Sequence, residues 1–299
     1  MFVVLAVSVF LHLGGIVIRF EYSIVQTIVL VGTILLFVKL MIPRVPLGEI
    51  FQQIRERLAQ TGYVLCLFAV FVVSLIDYVE AHFDARVTHA IRKDYTPFVS
   101  RFGADWVERI QRHRSLFITY CFTYTYVWVF PAIMFAVFFV LVYDNREEVA
   151  QFLVAGYFSN LLFVLPFYLF FPVNEVWVSD SHVRLLADRI SPIIMEHFRS
   201  ISALDNCFPS FHTSLALLIA LAAWRSGRRR MALLATLAAS MVIASTLYLG
   251  IHWPLDILAG VVAAVFCASL SFSYAPSLFA RASLRFEQLR QFAIEKISV

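Results

Sequence analysis

Two histidines, forty residues apart, are the residues of this chain best suited to covalent chemistry on an anion. His212 stands in Cys207-Phe208-Pro209-Ser210-Phe211-His212-Thr213-Ser214, and His252 in Tyr248-Leu249-Gly250-Ile251-His252-Trp253-Pro254-Leu255-Asp256. Proline suits the first turn of a helix, where its missing N–H costs nothing, so Pro209 and Pro254 each predict a helix start beside a histidine. Helix N-termini offer unpaired N–H groups and the positive end of the dipole, which favour anions and phosphate above all. Asp256 follows His252 by four residues, so its carboxylate can take an N–H from the imidazole and leave the other ring nitrogen free to attack phosphorus. His212, facing it, can protonate a departing oxygen.

The elements that must position this pair are membrane helices. Of 299 residues 61% are hydrophobic and 30 are phenylalanine, more apolar surface than a water-soluble core of this length requires. In lipid the backbone must satisfy its own hydrogen bonds, and the apolar runs are continuous, so the fold class is all-α and polytopic. A span takes about 20 apolar residues. Eight are expected, at residues 1–18, 23–42, 62–77, 116–142, 149–171, 207–224, 231–250 and 254–275. The sixth and seventh, joined by the polar turn Arg225 to Arg230, make an out-and-back hairpin that returns His252 to the face where His212 began.

Residues 78–114 read as two amphipathic helices in the membrane interface, and the basic tail after Pro276 as a third. The simplest division is an N-terminal two-helix region, 1–61, a catalytic membrane core, 62–276, and the tail, 277–299. Residues 78–114 and 173–206 should share the histidine side, with 43–61, 143–148, 225–230 and the tail opposite. Lys and Arg are nearly balanced between the sides, but the short Arg225, Arg228, Arg229, Arg230 turn and the basic tail weigh more than long loops. They place the histidines on the extracytoplasmic face.

Cys66, Cys121, Cys207 and Cys267 show no metal-ligand spacing and read as small packing residues, so neither a metal nor any other cofactor is expected. A net charge of +4 spread over many loops leaves no footprint for nucleic acid and is compatible with anionic lipid at the surface. Oligomeric state is not legible.

Pro209-Ser210-Phe211-His212 resembles the second signature of the type 2 phosphatidic acid phosphatase (PAP2) superfamily, and Ser245 to Asp256 with Gly260 resembles the third. The resemblance covers the last six spans and implies a six-helix core in which His212 is the general acid, His252 the nucleophile and Asp256 its partner, with no metal. It implies that Ser210 helps hold phosphate oxygens. Ser245, Asn174 and Arg184 complete the candidate substrate-binding set.

Two departures bear on the substrate. Thr246 follows Ser245 where the family has Arg, and the family's Lys and Arg-Pro signature is absent, with Phe171-Pro172-Val173-Asn174-Glu175-Val176-Trp177 at its expected position. A site with few fixed cations holds a dianionic phosphomonoester poorly and suits a singly charged phosphodiester. The same simplification marks the branch containing inositol phosphorylceramide synthase and, more distantly, sphingomyelin synthase. The expectation is therefore a lipid phosphotransferase moving a phospholipid headgroup phosphate to a lipid alcohol. The alternatives are a lipid phosphate phosphatase acting on phosphatidate, sphingosine phosphate or polyprenyl pyrophosphate, favoured if Arg184, Arg189 or Arg199 supplies a cation, and, more remotely, a non-enzymatic lipid carrier.

Overall fold

The computed structural model describes residues 20–91, 93–190 and 204–297. The expected first span and Arg199 lie outside them. The described residues form helices and connecting turns, with a single parallel bridge, Val173 to Asn206, as their only strand-like pairing. The helices are α1 (Phe20–Met41), α2 (Leu47–Arg57), α3 (Thr61–Ile91), α4 (Ala104–Arg112), α5 (Leu116–Tyr143), α6 (Glu147–Phe170), α7 (Phe211–Arg225), α8 (Arg229–Tyr248) and α9 (Pro254–Ile297).

Five helices, α1, α5, α6, α8 and α9, are long and apolar enough to cross a bilayer. A sixth span results if α2 and the first half of α3 are taken together, although they meet at 91°. The eight spans expected are thus not all found among the described residues. The 15-residue α7 is the clearest shortfall, because Ser210 rather than Cys207 begins it. The chain is an integral membrane protein by the length and composition of these helices.

Lipid tails are as apolar as the side chains they replace, so close packing rather than water exclusion holds such helices together. The buried faces accordingly carry small residues: Ala216, Ala220 and Ala223 on α7, and Ala232, Ala235 and Ala239 on α8. Leu258, Val262 and Val265 of α9 turn outward to lipid.

Polar contacts sort the connections into two ends. At one, Arg228 pairs with Asp144, Arg57 reaches Val142 O at 3.2 Å, and Thr61 donates to Glu287 at 2.5 Å. At the other, Gln111 Nε2 donates to Tyr248 O at 3.1 Å and Arg184 O at 2.8 Å, and Asn174 N donates to Thr96 Oγ1 at 2.8 Å. The histidines belong to this second end, together with residues 93–114 and 173–190, as their sequence positions require.

Two expected interface helices take another form. Residues 78–91 continue α3 without a break, and the tail continues α9, a single helix of 44 residues. At 1.5 Å per residue α9 runs about 66 Å, roughly twice the hydrocarbon thickness. Pro276 is accommodated within it. Amphipathic spacing identified helical residues correctly but carries no information on whether a helix is separate from the span before it.

Candidate active site

α8 ends in a Schellman turn: Ile251 N–H bonds Thr246 O at 2.9 Å and Gly250 N–H bonds Leu247 O at 3.1 Å, around Gly250 at φ +85°. A Cβ on Gly250 would also lie 2.9 Å from Arg184 O, so glycine is required on both counts. The turn delivers His252 just ahead of α9. Trp253 is the N-cap position of that helix, and the Asp256 carboxylate reaches back to the Trp253 N–H, Oδ2 to N at 2.7 Å, as the N3 residue of a capping box does. Asp256 is therefore oriented by the helix start itself. His252 lies outside the helix, so its contact with Asp256, Nδ1 to Oδ2 at 3.4 Å, comes from the turn and cap rather than from two residues on one helical face.

α7 begins beside it. Ser210 is the N-cap, its Oγ accepting from Thr213 N–H at 3.2 Å, which places Pro209 just before the helix instead of in its first turn. Capping of Thr213 and Ser214 leaves the amides of Phe211 and His212 as the first-turn donors without an intrahelical partner. The two helix starts are joined directly: Ser210 N–H donates to Asp256 O at 3.0 Å. Gly260, one turn beyond Asp256 in α9, permits this approach, since a Cβ there would meet Ser210 O at 2.7 Å and Thr213 Cβ at 2.9 Å.

The result is a facing pair. The His212 and His252 rings are 5.8 Å apart between centroids, tilted 61°. His252 is 3% exposed and Asp256 fully buried, and among the described residues the His252 Nε2 and His212 Nδ1 atoms have no hydrogen-bond partner. Within α5 a π-helical turn at Thr125–Val129 brings Tyr126 and Phe130 onto the His212 ring, at centroid distances of 4.7 and 4.9 Å. The extra residue of a π turn re-aims side chains, and such turns concentrate at functional sites. Neither aromatic stands out in sequence, because the insertion that aims them leaves no mark on the apolar pattern.

Of the expected substrate-binding residues, Ser210 caps α7 and bonds Asp256 O through its N–H. Ser245, Asn174 and Arg184 make no hydrogen bond to His212, His252 or Asp256. Ser245 is buried and donates to Val242 O at 2.6 Å. The Asn174 side chain bonds Thr96 Oγ1 at 3.3 Å, while its carbonyl accepts from the Trp253 indole N–H at 2.9 Å. Arg184 has an exposed side chain, and its backbone is clasped at both polar atoms by the Gln111 amide. These residues frame the site at one remove.

Cys207 is buried in a hydrophobic cluster, as its reading as a packing residue expects, but it also makes polar contacts. Its sulfur lies 2.9 Å from Asp256 Oδ2, 3.2 Å from His252 Nδ1 and 3.3 Å from Ile251 O. Cys207, His252 and Asp256 offer ligand atoms within 4.8 Å of one another, a set compact enough to hold a metal ion, which sequence spacing alone did not reveal. Direct hydrogen bonding accounts for the same closeness. Burial, and next the Asp256 carboxylate, push the Cys207 thiol well above its ordinary range, so it keeps its proton.

Hydrogen bonds and ion pairs of His212, His252 and Asp256 among the described residues involve no Lys or Arg. The arrangement can support nucleophilic attack by an imidazole held by a carboxylate, with a second imidazole opposite for proton transfer. The PAP2 superfamily model matches residues 99–270, more than half of the chain and all of this site. No curated protein and no solved structure matches.

Proposed function

The chain belongs to the PAP2 superfamily, and on that premise we propose that it is an integral-membrane lipid phosphotransferase acting through a phosphohistidine. The observation that carries this reading is the asymmetry of His252: Nδ1 faces Asp256 and Cys207, while Nε2 is buried without a hydrogen-bond partner among the described residues, with the His212 ring 5.8 Å away between centroids. Nε2 attacks the phosphorus of a phospholipid such as phosphatidylinositol. The bond to the diacylglycerol oxygen breaks, and that oxygen takes a proton from His212. A lipid alcohol then attacks the phosphohistidine, its proton returning to His212 and the headgroup phosphate passing to its oxygen. The Phe211 and His212 amides at the start of α7 offer donors to the phosphoryl oxygens, and no metal enters the sequence of steps.

Among the described residues no Lys or Arg bonds the pair or Asp256, which supports a singly charged diester over a dianionic monoester and favours the inositol phosphorylceramide synthase-like branch. The exposed Arg184, whose backbone packs on the Gly250 turn, is the feature that favours the phosphatase reading, because its guanidinium is a candidate for a missing clamp. The basic Arg225 to Arg230 turn and the basic tail lie at the end opposite the histidines, which supports an extracytoplasmic site.

The test is purified protein in mixed micelles, supplied separately with labelled phosphatidylinositol and with phosphatidate, each with and without ceramide or another lipid alcohol. Transfer from phosphatidylinositol that depends on the alcohol is expected. Release of inorganic phosphate from phosphatidate, with phosphatidylinositol untouched, would replace the transferase with the phosphatase.

A further inference from the structure

We infer that Cys207 is a positioning residue that bridges His252 and Asp256 and sets the imidazole tautomer needed for attack. The inference rests on the phosphohistidine reaction proposed above. The direct His252 Nδ1 to Asp256 Oδ2 separation, 3.4 Å, lies beyond the usual range for an N–H···O bond, whereas the thiol beside them touches both, at 3.2 Å from the nitrogen and 2.9 Å from the oxygen. A neutral thiol has one proton to give and lone pairs to receive. It can accept from Nδ1–H and donate to Oδ2, a relay parallel to the longer direct contact. With the proton on Nδ1, the Nε2 lone pair is left for phosphorus.

The chain holds the sulfur there by backbone bonds independent of the histidine motif. Cys207 N–H donates to Val173 O at 3.2 Å and Val173 N–H to Asp205 O at 2.8 Å, the two rungs around the bridge from Val173 to Asn206. Cys207 is buried in one hydrophobic cluster with Val173, Val176, Val183 and Trp253. The segments before α7 and after α6 are thus zipped together so that a thiol touches both the carboxylate and the imidazole. Asp256 Oδ2 then receives the Trp253 amide at 2.7 Å as well as the thiol, two short contacts that hold this oxygen in place.

Two substitutions separate bonding from filling. Cys207→Val fills the space without either hydrogen bond, while Cys207→Ser restores both a donor and an acceptor. With phosphatidylinositol and with phosphatidate as donors, Cys207→Val is expected to lower kcat by about tenfold to a hundredfold with KM little changed, as misplacement of a reacting group does. Trapping with phosphate-labelled donor should show the loss in phosphohistidine formation. Cys207→Ser should recover most of the rate. If Cys207→Val melts below the assay temperature, Cys207→Ala, which adds no branched carbon, takes its place.

Wild-type kcat in the valine or alanine variant overturns the inference, and so does a serine variant as slow as valine despite an unchanged melting temperature. His252→Ala separates this failure from that of the underlying reading. Loss of label in His252→Ala with full activity in Cys207→Val removes only the role of the thiol, whereas turnover that survives His252→Ala, or wild-type protein that turns over neither donor, removes both.

Discussion

Gly260→Ala should disable the site while adding a single methyl group. The Cβ would stand 2.7 Å from Ser210 O and 2.9 Å from Thr213 Cβ, against ordinary contact beginning at 3.4 Å, so the start of α7 must retreat by about 0.7 Å. Neither neighbour can swing aside. One is the backbone carbonyl of the buried N-cap, and the other the first side-chain carbon of a buried helical residue. Overpacking of this kind costs on the order of 1–3 kcal/mol. Displacement of α7 also stretches the Ser210 N–H to Asp256 O bond, 3.0 Å, which ties the two helix starts together. Since α7 carries His212 and α9 carries Asp256, the 5.8 Å separation of the imidazoles changes directly. A shift approaching 1 Å in reacting geometry can cost about a hundredfold in rate. The assay is steady-state turnover of labelled phospholipid by purified Gly260→Ala, with a melting curve in the same detergent. A drop in kcat out of proportion to the change in melting is expected. Wild-type turnover with unchanged melting would refute the close approach of α7 and α9 at this glycine.

His212→Ala should slow reaction of a lipid donor by about a hundredfold or more, because an alkoxide leaving group needs its proton. The deficit should shrink with a nitrophenyl phosphodiester, whose leaving group departs unprotonated; an equal deficit with both would deny the acid role. Ser210→Ala removes the α7 cap and should lower stability by about 1 kcal/mol, read as melting temperature, while an unchanged melt would show that the Thr213 amide finds another acceptor. Arg228→Ala breaks the partly buried pair with Asp144 at the end of the bundle opposite the histidines. It should cost on the order of 1 kcal/mol in stability and leave kcat intact; a fall in kcat at constant stability would indicate coupling along the helices.

The helices were legible because a span is a local property: about 20 consecutive apolar residues announce it whatever they pack against. The pairing of His212 with His252 was legible for a related reason, since a short turn between two apolar helices brings the chain back to the face it left. Length was less secure. α7 begins only after the Ser210 cap, and the apolar residues before it, Cys207 and Phe208, belong to a loop. The continuity of α3 and α9 past their apolar segments was also hidden, because a polar residue extends a helix as readily as it begins another.

Sequence by itself determined the membrane-embedded helical class, the shared face of the two histidines and the closeness of Asp256 to His252, all consequences of periodicity, apolar length and short chain separation. Tertiary structure alone decided that Cys207 reaches the His252 and Asp256 side chains, that a π turn lays Tyr126 and Phe130 on His212, and that Gly260 lets two helix starts touch. Each depends on segments distant in the chain meeting within a few ångströms. The bridge from Val173 to Asn206 aims the thiol, and no spacing within either histidine motif encodes where that bridge will form.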